Sequence, residues 1–187
     1  MLKTYLNKNS FFSLLLILIA SLIVIRLIPP GVDPVLTLVI SKNRTNITSI
    51  SQARDIQVTK EVKVDVLNLA EKSRFMHPVL GELGYGNEFF VDVNATMQVQ
   101  QAGRYQFFVS SDDGFILTIN GKEICRFNGS RPLAAQTCQV NLTEGENQFQ
   151  LNYYQGYGNA GLKVEYRKAD TSKRYWVGQN SPYIKFH

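Results

Sequence analysis

The sequence predicts an all-β domain, an antiparallel β-sandwich or barrel, preceded by one apolar N-terminal helix that crosses a membrane. Three observations predict it. From Ile56 onward, apolar and polar residues alternate in short runs. Glycine and asparagine turns separate those runs at close spacing. One continuous apolar stretch, residues 11–28, stands apart near the start. Successive side chains of a strand point to opposite faces, so a period of two buries one face and wets the other.

The runs can be taken in order. Val62, Val64 and Val66 alternate with charged partners. Val91, Val93, Ala95, Met97 and Val99 follow, with Asp92, Asn94, Thr96 and Gln98 between them. Then come Tyr105/Phe107/Val109, Phe115/Leu117/Ile119, Phe149/Leu151/Tyr153 and Leu162/Val164/Tyr166. Ala102-Gly103 separates two of these runs. Asn120-Gly121 is a hairpin signal, because both turn positions of that type want positive φ. Residues 143–147, Thr-Glu-Gly-Glu-Asn, mark another turn. Short strands with this punctuation belong to sandwiches and barrels. After residue 28 the chain shows no sustained helical period, no nucleotide-binding glycine loop and no internal repeat.

The N-terminal stretch reads FFSLLLILIASLIVIRLI, broken only by two serines and Arg26. Its 18 residues would span about 27 Å as a helix, close to the thickness of a bilayer core. The run is long for a signal peptide and no small-x-small cleavage site follows it, so an uncleaved anchor is expected. Lys3 and Lys8 favour a cytoplasmic N-terminus, which leaves the body periplasmic or extracellular. Pro29-Pro30 stops the helix, since proline lacks the amide donor and its ring clashes one turn back. The expected division is therefore a cytoplasmic tail 1–10, a transmembrane helix 11–28, a polar stem 29–55, a β domain 56–168 and a basic-aromatic tail 169–187.

Composition narrows the function. Apolar residues make up 44% of the 187, enough for a core. The formal charge is +5, but Lys3, Lys8 and Arg26 precede Pro29 with no acid beside them, which leaves 17 basic and 15 acidic residues after it. That balance, with no basic stripe, excludes a nucleic-acid footprint. Cys125 and Cys138 enclose a short loop; they form a disulfide in an exported domain and two buried thiols in a cytosolic one. Export, as the N-terminus predicts, favours the disulfide. With no third cysteine or nearby histidine, zinc is not expected. Asn-x-Ser/Thr sequons begin at Asn43, Asn46, Asn94, Asn128 and Asn141. No nucleophile–base pair is visible. His77 reads as a loop histidine, and Glu144 and Glu146 as a solvated turn rather than a glycosidase acid pair, so no enzyme is expected.

Residues 102–125, AGRYQFFVSSDDGFILTINGKEIC, and 142–167, LTEGENQFQLNYYQGYGNAGLKVEYR, carry a family resemblance. The Gly, the aromatic strand, Ser-Asp-Asp-Gly, the apolar strand, Asn-Gly-Lys and the closing Tyr-Tyr, glycine loop and Ala-Gly-Leu-x-Val resemble the PA14 lectin-like domain of anthrax protective antigen. The resemblance covers about residues 89–167. The usual opening strand motif is absent; residues 70–90 stand there instead as an irregular connection.

The resemblance implies a two-sheet β-sandwich and a calcium-dependent sugar site. Asp112 and Asp113, joined by a cis peptide, would both face one Ca²⁺. Gln155 and the carbonyls of Tyr157 and Asn159 would complete the oxygen sphere. Calcium takes six to eight oxygens, and the vicinal hydroxyls of a sugar can supply two of them. Tyr157 would also stack on a sugar face. The expected function is a membrane-anchored, outward-facing, calcium-dependent carbohydrate-binding module. The alternative is a non-enzymatic accessory subunit of an envelope, surface or secretion assembly, using the β domain for protein contacts.

Overall fold

In the computed structural model, residues 8–27 and 31–187 are described. The chain divides into two units, 1–31 and 32–187. The first holds helix α1, Lys8–Leu27. Its serine at position 21 donates back to the Ile17 carbonyl at 2.8 Å, which satisfies a hydroxyl among apolar neighbours. Among the described residues, no helix is long and apolar enough to cross a membrane. The helix expected over 11–28 therefore forms, but its bilayer-spanning role has no support from the structure. Ile28 and most of the expected cytoplasmic tail lie outside the described residues.

The second unit is all β. Its strands are β1 Leu36–Asn43, β2 Ile56–Val64, β3 Asn68–Leu69, β4 Met76–His77, β5 Gly81–Glu82, β6 Phe89–Val99 and β7 Gly103–Ser111. There follow β8 Phe115–Ile119, β9 Lys122–Phe127, β10 Ala134–Leu142, β11 Gly145–Gln155, β12 Leu162–Lys168, β13 Tyr175–Trp176 and β14 Ile184–Phe186. One sheet runs β2-β1-β6-β11-β8-β9, with β14 also pairing β6. The other runs β10-β7-β12-β13, with β3 also pairing β12. Pairing in both is antiparallel, and β4-β5 is a separate short hairpin.

The period-two runs do what period two requires. Val91, Val93, Ala95, Met97 and Val99 of β6 are buried, as are Phe149, Leu151 and Tyr153 of β11. From the facing sheet, Tyr105, Phe107, Val109, Leu162, Val164 and Tyr166 fill the other half of the core. The Asn120-Gly121 hairpin has φ of 52° and 74°, as its sequence predicts. Cys125 of edge strand β9 and Cys138 of edge strand β10 form a disulfide that joins the two sheets. Closing a loop of this length constrains the unfolded chain by about 3 kcal/mol.

Two expected boundaries change. The stem over 29–55 contains β1, an interior strand whose Leu36, Leu38 and Ile40 are wholly buried. Burial of the Leu36, Leu38 and Ile40 face outweighs the polar character of the residues after it. Those residues, in turn, fold over the outer face of the first sheet. Ile47 and Ile50 make a small second core with Phe90 and Tyr154. The tail over 169–187 is likewise part of the domain. It supplies β13 and β14, and Tyr175 stacks on Tyr166 with ring centres 5.8 Å apart. Phe186 meets Tyr166 edge-on, and Val177 and Ile184 are fully buried. The expected β domain, 56–168, thus extends at both ends. Of the sequon asparagines, Asn43 is buried with its amide bonded to Thr45, whereas Asn46, Asn94, Asn128 and Asn141 are exposed.

Candidate functional site

Antiparallel pairing decides where the site falls. Strand β7 lies between β10 and β12, so its C-terminal end meets the start of both neighbours. The loop after β7, residues 112–114, therefore sits beside the loop before β10, residues 128–133, and the loop before β12, residues 156–161. Asp112, Asp113, Ser130, Arg131, Pro132, Tyr157 and Asn159 line one open hollow there, of about 360 Å³.

Backbone bonds fix the acid pair in this position. The Asp112 amide donates to the Gly161 carbonyl at 2.9 Å, and the Asp113 amide to the Arg131 carbonyl at 3.0 Å. The Asp113 carboxylate accepts the Gly156 amide at 2.7 Å and the Arg131 amide at 3.3 Å, which latches both neighbouring loops to the turn. Gly114 is required by close approach. A Cβ there would lie 2.5 Å from the Tyr154 ring and 2.7 Å from the Phe127 carbonyl. The Ile47–Ile50 segment braces the same loops from outside, with the Ile50 amide donating to the Asn128 carbonyl at 3.0 Å.

The link between the acids differs from the expected one. No cis peptide bond occurs among the described residues, and Asp113 instead adopts a left-handed φ of 66°. Aspartate tolerates that region better than most residues, since its short polar side chain can bond locally. The two carboxylates still line a common hollow.

Their electrostatics are unusual. Asp112 is only 8% exposed and Asp113 only 3%. Neither takes part in an ion pair among the described residues. Burial, and then the charge of Asp113, push the Asp112 carboxyl up to about 6, against a smaller lowering by the Leu133 backbone amide. Arg131 lines the hollow, yet its guanidinium bonds to Ser111 and lies 4.2 Å over the Phe127 ring. Burial lowers its pKa.

The other sequence-predicted residues divide. Tyr157 and Asn159 line the hollow with the acids, and Tyr157 is 86% exposed. Gln155 is fully buried and off the lining. Its amide oxygen accepts from the Tyr153 hydroxyl at 2.6 Å, and its amide nitrogen donates to the Asn159 carbonyl at 2.5 Å. Gln155 thus shapes the loop, and the Asn159 carbonyl is already engaged. Ser130 and Arg131 went unread in the sequence, because nothing in their local pattern places the β9–β10 loop beside the acids. His77 is a packed histidine: its Nε2 bonds Asp65 at 2.8 Å and its Nδ1 accepts the Val79 and Leu80 amides.

The donors present are hard oxygens, which suit calcium rather than a softer ion. No group of three or more His, Cys, Asp or Glu side chains with metal-site spacing exists among the described residues. A cation there would depend on the acid pair together with amide, carbonyl or ligand oxygens.

No family model matches the sequence, and no curated protein matches it. Solved structures do. The PA14 domain of the MpAFP antifreeze protein matches with a TM-score of 0.60 at 12% identity, over 84% of this chain and 93% of that one. The PA14 sugar-binding domain of an RTX adhesin matches with a TM-score of 0.59 at 18% identity, over 78% and 96%. The A domain of Epithelial Adhesin 9 from Candida glabrata, in complex with Galb1-4GlcNAc, matches with a TM-score of 0.53 at 11% identity, over 79% and 90%. The second unit therefore has the PA14 fold, an antiparallel β-sandwich.

Proposed function

We propose that this protein is a calcium-dependent carbohydrate-binding module, held at a membrane by its N-terminal helix with the β domain outside. The observation that carries the reading is the acid pair: two nearly buried carboxylates in one hollow, with no ion pair to a basic side chain among the described residues. Like charges buried together raise each other's energy, and an external cation relieves that. The sugar-binding adhesin domains among the structural neighbours support the same reading.

Asp112 and Asp113 present carboxylate oxygens, and Tyr157 and Asn159 line the same hollow. Calcium held there would supply a positive centre for neighbouring sugar hydroxyls. Asp113 also holds both flanking loops, so it positions the lining as well as charging it. Gln155 acts one step back by fixing the Asn159 backbone. The exposed Tyr157 ring offers a stacking face for a pyranose.

The membrane part of the proposal rests on composition: residues 11–28 are continuously apolar but for two serines and Arg26, which suits lipid or a protein core and not water. Extraction of the full chain from membranes by detergent, but not by alkaline carbonate, is the expected result; release by carbonate would remove the anchor.

The binding reading is tested with full-length protein in detergent on a glycan array, with calcium and then with chelator. Retention that requires calcium and is lost in Asp112→Ala is expected. Chelator-independent co-purification with a fixed protein partner, with no glycan retained, would replace it with the accessory-subunit reading.

A further inference from the structure

Two Asn-Gly pairs occur in the chain, Asn120-Gly121 and Asn128-Gly129, and the fold treats their side chains in different ways. In such a pair the asparagine amide lies open to attack by its own main chain, because glycine puts no Cβ in the way of its nitrogen. We propose that Asn128 is a site of self-modification, converted to aspartate and isoaspartate by attack of the Gly129 nitrogen, and that the fold protects Asn120 from the same reaction. This chemistry needs neither calcium nor a sugar, so it stands apart from the carbohydrate reading.

Asn120 is held at both ends of its amide. The oxygen accepts the Gln148 main-chain amide at 2.7 Å, and the nitrogen donates to the Asn147 side chain at 2.8 Å. Ring closure has to swing this side chain onto the Gly121 nitrogen and break both bonds, which slows it by about ten-fold or more. Asn128 is exposed and carries no such grip. Its amide nitrogen and the Gly129 main-chain nitrogen have no hydrogen-bond partner among the described residues. Its amide oxygen meets only the Arg126 guanidinium, at 3.5 Å. A contact that long is too weak to immobilise the side chain, yet the positive charge polarises the carbonyl under attack. A Cβ on Gly129 would meet nothing within 4 Å, so there is room for the swing and for water.

The reaction balances with water alone. The Gly129 nitrogen gives up its proton and bonds to Asn128 Cγ; the Cγ–Nδ2 bond breaks and ammonia leaves. Water then opens the resulting cyclic imide at either of its carbonyls. One opening leaves an ordinary aspartate, whose new carboxylate lies within reach of Arg126. The other routes the main chain through Cβ and Cγ, lengthens it by one carbon and turns the former Asn128 carbonyl into a free carboxylate. That carbonyl accepts the Ile50 amide at 3.0 Å in the unmodified chain. Further along the same loop, Ser130 and Arg131 line the acid hollow, and the Arg131 backbone latches Asp113. Modification at Asn128 therefore acts on the loop that holds the acid pair in place.

The test warms full-length protein in detergent at mildly alkaline pH, once native and once in guanidinium chloride. Digestion at acid pH then arrests the reaction, and mass spectrometry maps asparagine, aspartate and isoaspartate at both positions. In the unfolded chain the two sites should convert at similar rates. In the native chain Asn120 should slow by at least about ten-fold, while Asn128 keeps most of its unfolded rate. Gly129→Ala, which the open space at that position accommodates, should suppress conversion at Asn128. Continued protection of Asn120 in that variant reports that the domain is folded. Native protection of Asn128 as strong as that of Asn120, equal native conversion of both, or conversion of Asn128 undiminished in Gly129→Ala overturns the proposal.

Discussion

Two places on the same sandwich hold half-hidden aspartates and treat them in opposite ways. On the outer face of the first sheet, Asp92 is 23% exposed at its side chain and gripped by Arg54 through two bonds of 2.5 and 2.8 Å. Asn152 adds a third at 2.6 Å, and the Arg54 guanidinium lies 4.4 Å over Phe90. At the end of β7, Asp112 and Asp113 are more deeply buried and have no such partner. Where the chain needs an acid for stability it brings its own cation. At the end of β7 the two acids have backbone amides but no cation of their own among the described residues, and that difference separates a carboxylate neutralised within the fold from one available to a ligand.

The largest effect expected from this contrast is with calcium itself. At free calcium about 100-fold above its dissociation constant, linkage predicts about 2.7 kcal/mol of stabilisation. For a chain of this size that is a rise of about 5–10 °C in Tm. Asp112→Ala and Asp113→Ala should lose the rise, whereas Arg54→Ala should lower the baseline Tm and keep it. Scanning fluorimetry with and without chelator decides it; a calcium response that survives both aspartate variants would erase the distinction between the two places.

A second, smaller effect concerns the turn that carries the pair. Gly114→Ala places a methyl group against the Tyr154 ring and the Phe127 carbonyl. Overpacking of that sort costs about 1–3 kcal/mol. Because the same turn aims both carboxylates, calcium affinity should fall with it. Denaturant unfolding reads the first quantity and calcium titration the second. A variant as stable as wild type would mean that the loops have slack and that the pair is not held where it lies.

The strands were legible because period-two burial is a local signal, and Val91 to Val99 or Phe149 to Tyr153 could hardly serve otherwise. Strand β1 was hidden by its neighbours: Leu36, Leu38 and Ile40 make only a short alternation between prolines and a polar stretch, and only pairing with distant β6 shows it as interior. The acid pair was visible as a motif. Its backbone was not, since left-handed φ and a cis link are alternative routes to the same juxtaposition and the sequence Ser-Asp-Asp-Gly allows both. Gln155 shows the opposite limit: an amide at the right position in the chain is drawn inward by the Tyr153 hydroxyl, a contact no linear pattern specifies.

The smallest prediction separates the two places by sign. In the unfolded chain Asp112 ionises near its ordinary 3.8, and in the fold near 6. Between those values the folded state keeps a proton that the unfolded state releases, so stability falls as pH rises through the window. Above it the whole penalty remains, about 1–2 kcal/mol once solvent screening at the mouth of the hollow is allowed for. In chelator at neutral pH, Asp112→Asn should therefore be more stable than wild type by that amount, and the gain should vanish below the window. Asp92→Asn should do the reverse at neutral pH and lose about 1 kcal/mol, because it gives up a charge-assisted pair with Arg54. Urea titrations of both variants across the window measure the two slopes. If Asp112→Asn also destabilises at neutral pH, the fold already compensates that carboxylate, and the argument for an external cation loses its footing.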